Sequence, residues 1–65
     1  MSINGKPELK DVCYAVRKHM RISQRELAQL IGSTQTEISF IEKGFVPPDK
    51  QKVSNIYLLA REHLG

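Results

Sequence analysis

The chain has 65 residues, 40% of them hydrophobic and 26% charged, and carries a formal net charge of +3. That is one domain near the lower size limit for folding without staples, and its single cysteine excludes an internal disulfide. Cys13, His19 and His63 lack the spacing of a tetrahedral metal site, no apolar run approaches the ~20 residues of a membrane span, and no signal-peptide core opens the chain. The expectation is a reducing, cytoplasmic setting with no membrane and no metal. The mild positive charge permits a nucleic-acid partner without demanding one. Tryptophan is absent and aromatics are few, so a core must come from Leu, Ile, Val and Ala, which favours packed helices.

In chain order, residues 1–7 read as a flexible leader, with Asn4-Gly5 followed by a helix-compatible Pro7. Leu9, Val12, Cys13, Val16 and Met20 then recur at three- and four-residue steps. That spacing predicts a first helix over 8–19, with Lys10, Asp11, Lys18 and His19 off the apolar face. Cys13 reads as a small buried hydrophobe. Ser23 and Glu26 form a capping-box pair that opens a second helix, whose apolar stripe is Leu27, Ala28 and Ile31. Gly32 ends it in the left-handed conformation that glycine adopts without steric cost.

A third helix is predicted over 34–43, with Ser33 as its N-cap, Ile38 and Ile41 inward, and Gly44 as its stop. Phe45-Val46-Pro47-Pro48 cannot be helical, because each proline disfavours helix in the residue before it. Asp49 caps a fourth helix with Val53, Ile56, Leu59 or Ala60, and Leu64 facing inward, and Asn55 is a possible break within it. The fold class is therefore all-α, four or five short helices, forming one domain over 8–65.

The informative stretch is 24–43, QRELAQLIGSTQTEISFIEK. Two helices joined so tightly cross steeply, and the crossing makes demands at particular positions. Ala28 must be small, Gly32 must allow the turn, and Leu27, Ile31, Ile38 and Ile41 must be apolar. All six demands are met together.

On these residues the chain resembles the Cro-type helix-turn-helix family, which includes the lambdoid phage repressors. The likeness is carried by Ser23-Gln24-x-x-Leu27-Ala28, Ile31-Gly32, Ile38-Ser39 and Ile41-Glu42-Lys43-Gly44, followed by Pro48 and the apolar fourth helix. It implies a lambda-repressor-like DNA-binding domain whose recognition helix reads the major groove. By that resemblance Gln35, Thr36, Ser39 and Phe40 take base-reading positions. A Gln amide can pair with adenine N6 and N7, and a Thr methyl can touch a thymine methyl. Gln24 takes the position of a glutamine that holds a phosphate and braces the first glutamine of the recognition helix. Arg25, Thr34 and Lys43 resemble residues that position the DNA backbone, and Arg17 with Glu42 resembles a structural pair linking the first helix to the end of the third. Three positions depart from the family's habit: Phe40 replaces a polar or basic side chain, Leu30 sits on a side that is commonly polar, and Ser33 stands where an apolar residue is common.

The function implied is sequence-specific binding of double-stranded DNA by a transcriptional regulator. It would be a repressor of bacterial, phage or mobile-element origin, acting as a homodimer on two half-sites. No segment announces itself as a dimerisation element, so a weak or DNA-dependent dimer is expected. No cofactor is implied. An enzyme has no support, because phosphate loop, paired carboxylates and activated nucleophile are all missing from the sequence. The alternative is a protein-interaction module on the same fold that has lost DNA binding, anchored by Leu30 and Phe40; the polar face of Gln35, Thr36 and Ser39 argues against it.

Overall fold

A computed structural model describes residues 8–65; the leader expected over 1–7 lies outside them. Four helices follow in order: α1 Leu9–Met20, α2 Gln24–Ile31, α3 Gln35–Glu42 and α4 Lys50–His63. The described residues contain no strand. The periodicity of α1 buries Leu9, Val12, Cys13 and Val16, and these meet Leu27, Ala28 and Ile31 of α2, Ile38 and Ile41 of α3 and Ile56 of α4. α1 packs against both α3 and α4, while α2 packs chiefly against α3. The shared core thus holds α3 by one side only and leaves its other side free.

Helix ends explain the angles between elements. Ser23 accepts from the Glu26 N–H at 3.0 Å and Glu26 returns the bond to the Ser23 N–H at 2.9 Å, so α2 opens on the predicted capping box. Gly32 closes it at φ +72°, and a Cβ built there would touch nothing within 4 Å. Glycine is needed for the backbone conformation and not for space. α1 ends on Arg21, which adopts the left-handed region at φ 58° although it is not glycine. The bond from the Ile22 N–H to the Arg17 carbonyl, 3.1 Å, closes that turn.

Four expectations are corrected. Ser33 does not cap α3: its N–H donates to the Ala28 carbonyl at 2.8 Å, so its backbone completes the end of α2. Thr34 is the N-cap of α3, accepting from the Glu37 N–H at 3.2 Å, and the helix itself starts at Gln35. Asn55 does not divide α4; its side chain accepts from Gln51 one turn earlier at 3.0 Å and the helix runs through. Leu64 does not face inward. It is the C-cap residue of α4 and 44% exposed, because the helix ends at His63, one residue before it could turn Leu64 into the core. That last turn nevertheless returns to the end of α1, where the rings of His19 and His63 lie 6.2 Å apart.

Candidate nucleic-acid interface

α3 is the element on which the candidate site rests, and its two sides differ in chemistry. Ile38 and Ile41 point into the core. Thr36, Phe40 and Lys43 are exposed on the opposite side, and Ser39 between them is half-buried. Their spacing of three, four and seven residues places them on one strip of the helix. Gln35 stands exposed at the first position, directly after the Thr34 cap. No side-chain hydrogen bond or ion pair among the described residues engages Gln35, Thr36, Ser39 or Lys43, so their donors and acceptors are available to a ligand. Arg25, exposed at the second position of α2, is free in the same sense.

The acids of α3 are treated oppositely. Both Glu37 and Glu42 turn away from the exposed strip and are neutralised by neighbours. Glu42 is the better held. Arg17 donates from Nε to Oε2 at 2.9 Å and from Nη2 to Oε1 at 3.1 Å. Gln24 donates from Nε2 to Oε1 at 3.1 Å, and the Cys13 thiol reaches Oε2 at 3.7 Å. One carboxylate from α3 thereby collects donors from α1 and α2. Arg17 is itself braced by Tyr14, whose ring centroid lies 5.5 Å from the guanidinium carbon.

The charges follow from this geometry. Burial pushes the Glu42 carboxyl up, but hydrogen bonds from Arg17 and Gln24 outweigh it and hold the group below the ordinary carboxylate range. The bond to Glu42 raises Arg17 further, so the pair stays ionised. Cys13 moves the other way: burial, then the neighbouring Glu42 charge, push its thiol up to about 12. It is a fully buried neutral donor, with none of the character of a nucleophile. At the other end of α3, Glu37 accepts from the Ser33 hydroxyl and from Lys52 Nζ at 2.9 Å, and both bonds lower its carboxyl.

The paired Arg17 and Glu42 expected from the sequence thus meet in the fold. Gln24 occupies its expected place at the start of α2, but its hydrogen bond goes to Glu42 and not to Gln35. Sequence reasoning missed Lys52 and Ser33 as partners of Glu37, and Cys13 as a donor to Glu42. The available signal was the pair of acids five residues apart on α3, a helix otherwise without charge.

A family model described as helix-turn-helix matches residues 14–62. The chain belongs to the helix-turn-helix family of the Cro and lambda-repressor type. That family is one of DNA-binding regulatory domains and not of enzymes. The match spans α2, the turn at Gly32 and α3, together with most of α1 and α4 that hold them. No curated protein and no solved structure gives a significant match. Among the described residues no helix is long and apolar enough to cross a membrane, and no group of three or more His, Cys, Asp or Glu is placed to hold a metal ion.

Proposed function

We propose that this helix-turn-helix protein is a sequence-specific, double-stranded-DNA-binding transcriptional regulator, a repressor of bacterial, phage or mobile-element origin. In this reading Gln35, Thr36, Ser39 and Phe40 meet base edges, while Gln24, Arg25, Thr34 and Lys43 position the phosphate backbone. The observation that carries it is the division of α3: the unpaired Gln35 amide, the Thr36 and Ser39 hydroxyls and Lys43 are left to a ligand, while both carboxylates are paired with neighbouring cations. Such a surface offers hydrogen bonds to bases without repelling phosphates. Two copies bind half-sites about one helical turn apart, ~34 Å, as a dimer formed weakly or on the DNA.

Selection of bound duplexes from a random pool tests the reading and reports half-site spacing. On the selected sequence, Gln35→Ala is expected to cost ~1–3 kcal/mol and to relax preference at one base pair. Lys43→Ala weakens all sequences alike and lowers the salt slope by about 0.9 for each phosphate that the lysine neutralises. Unchanged affinity and base preference in Gln35→Ala would remove that residue from the interface.

A further inference from the structure

The exposed strip of α3 contains one side chain that cannot read a hydrogen-bond pattern. Phe40 is 51% exposed among Thr36, Ser39 and Lys43. It is not alone: the ring of Phe45 lies edge-on to it, with centroids 6.4 Å apart and planes at 70°. Phe45 is 46% exposed and Val46, next to it, 61%.

The backbone builds this pair. The Phe45 N–H donates to the Phe40 carbonyl at 2.9 Å, and the Gly44 N–H donates to the Ile41 carbonyl at 2.9 Å. Gly44 makes the reversal at φ +111°, a region that other residues reach only with strain. The backbone of Phe45 is therefore held by the end of α3, which sets its ring edge-on beside that of Phe40.

We propose that Phe40, positioned by Phe45, reads a pyrimidine 5-methyl group in the major groove. The inference rests on the DNA-binding reading above and names the group that one part of that surface recognises. Among base edges of the major groove, the thymine C5-methyl is the apolar feature; the rest is donors and acceptors, which a phenyl ring cannot sort. 5-Methylcytosine presents the same group at the same ring position. The surroundings favour this occupant over an apolar protein surface. The pair continues the polar strip of Thr36 and Ser39, an exposed Lys43 flanks it, and the acids of its helix are withdrawn, which suits a polyanion.

The test uses the whole chain and a duplex selected from a random pool. Each thymine is replaced in turn by uracil, which removes only the methyl, and dissociation constants are measured for wild type, Phe40→Ala and Phe45→Ala. At one thymine per half-site, uracil should weaken wild type about fourfold, the worth of one buried methyl. The same replacement should leave Phe40→Ala nearly unaffected, and Phe45→Ala should show a reduced penalty. In a second arm, cytosine and 5-methylcytosine are compared at that position. A gain on methylation in wild type alone extends the reader to both bases, and its absence assigns the methyl to thymine. Half-exposed Phe40 is not part of the core, and an unchanged thermal melt of Phe40→Ala separates loss of reading from loss of fold. Equal uracil penalties in wild type and Phe40→Ala at every thymine would overturn the proposal while leaving DNA binding intact. A pool that yields no bound sequence would overturn both.

Discussion

The two carboxylates of the recognition helix face the same structural task and solve it unequally. Glu42, at the C-terminal end, is held by a two-pronged guanidinium, an amide and a thiol, with 11% of its side chain and 19% of that of Arg17 exposed. Glu37, near the N-terminal end, is held by a hydroxyl and a single lysine, with side chains of acid and lysine 23% and 27% exposed. A planar fork fixes direction as well as distance, whereas an ammonium on a four-carbon stem fixes distance alone. The difference places the firm anchor away from Gln35 and the softer one beside it. The end of α3 that carries Gln35 is thus held by the weaker pair, and the end that joins α1 and α2 by the stronger one.

The largest expected effect comes from removing the firm anchor. Glu42→Ala leaves Arg17 without its acceptor in a half-buried site, and urea unfolding should show a loss of about 2–3 kcal/mol. The acid limb sharpens the same point. Glu42 titrates lower in the native state than the ordinary value of 4.5, so its contribution is full above that value and disappears as pH falls through the native one. Glu42→Gln should therefore flatten the fall of stability below about pH 4.5. Glu37→Ala should cost less, under about 1 kcal/mol, and the cost should shrink with added salt, as for other accessible ion pairs. The smallest difference will be seen by thiol labelling. Cys13 is fully buried with its proton retained, so iodoacetamide should react slowly at pH 8, faster in Glu42→Ala, and hardly faster in Glu37→Ala. Equal labelling in both variants would show that the two anchors are equivalent.

How much of this was legible in the sequence differs between helix bodies and helix ends. The apolar periodicity of α1 located its four buried residues, and Ser23 with Glu26 located the start of α2, because both signals are local. The choice between Ser33 and Thr34 as cap was not legible, since both are good capping residues. It is decided by which N–H the end of α2 consumes, and that depends on the left-handed Gly32 upstream. Arg21 gave no sign of its left-handed backbone for a related reason: the turn after α1 imposes it, and arginine carries no preference for it. In the site, the identity of the exposed strip followed from helix spacing together with the family resemblance. The Glu42 cluster was only partly visible. Its members are 18, 25 and 29 residues from Glu42, and separations of that size close only through the packing of α1 and α2 on α3. The pairing of Phe40 with Phe45 depended on the reversal at Gly44, which the sequence marked as a stop without giving its direction.

Glu42 also has a mechanical meaning. With a rise of about 1.5 Å per residue, Gln35 stands about 10 Å along the axis from Glu42, so any change of tilt set at the Glu42 end is magnified at Gln35. A tilt of about 5° there would carry Gln35 sideways by about 1 Å, as far as a hydrogen bond to a base can tolerate. An operator misread after mutation of Arg17, a residue on a different helix from the reading strip, would be the outward sign of that leverage.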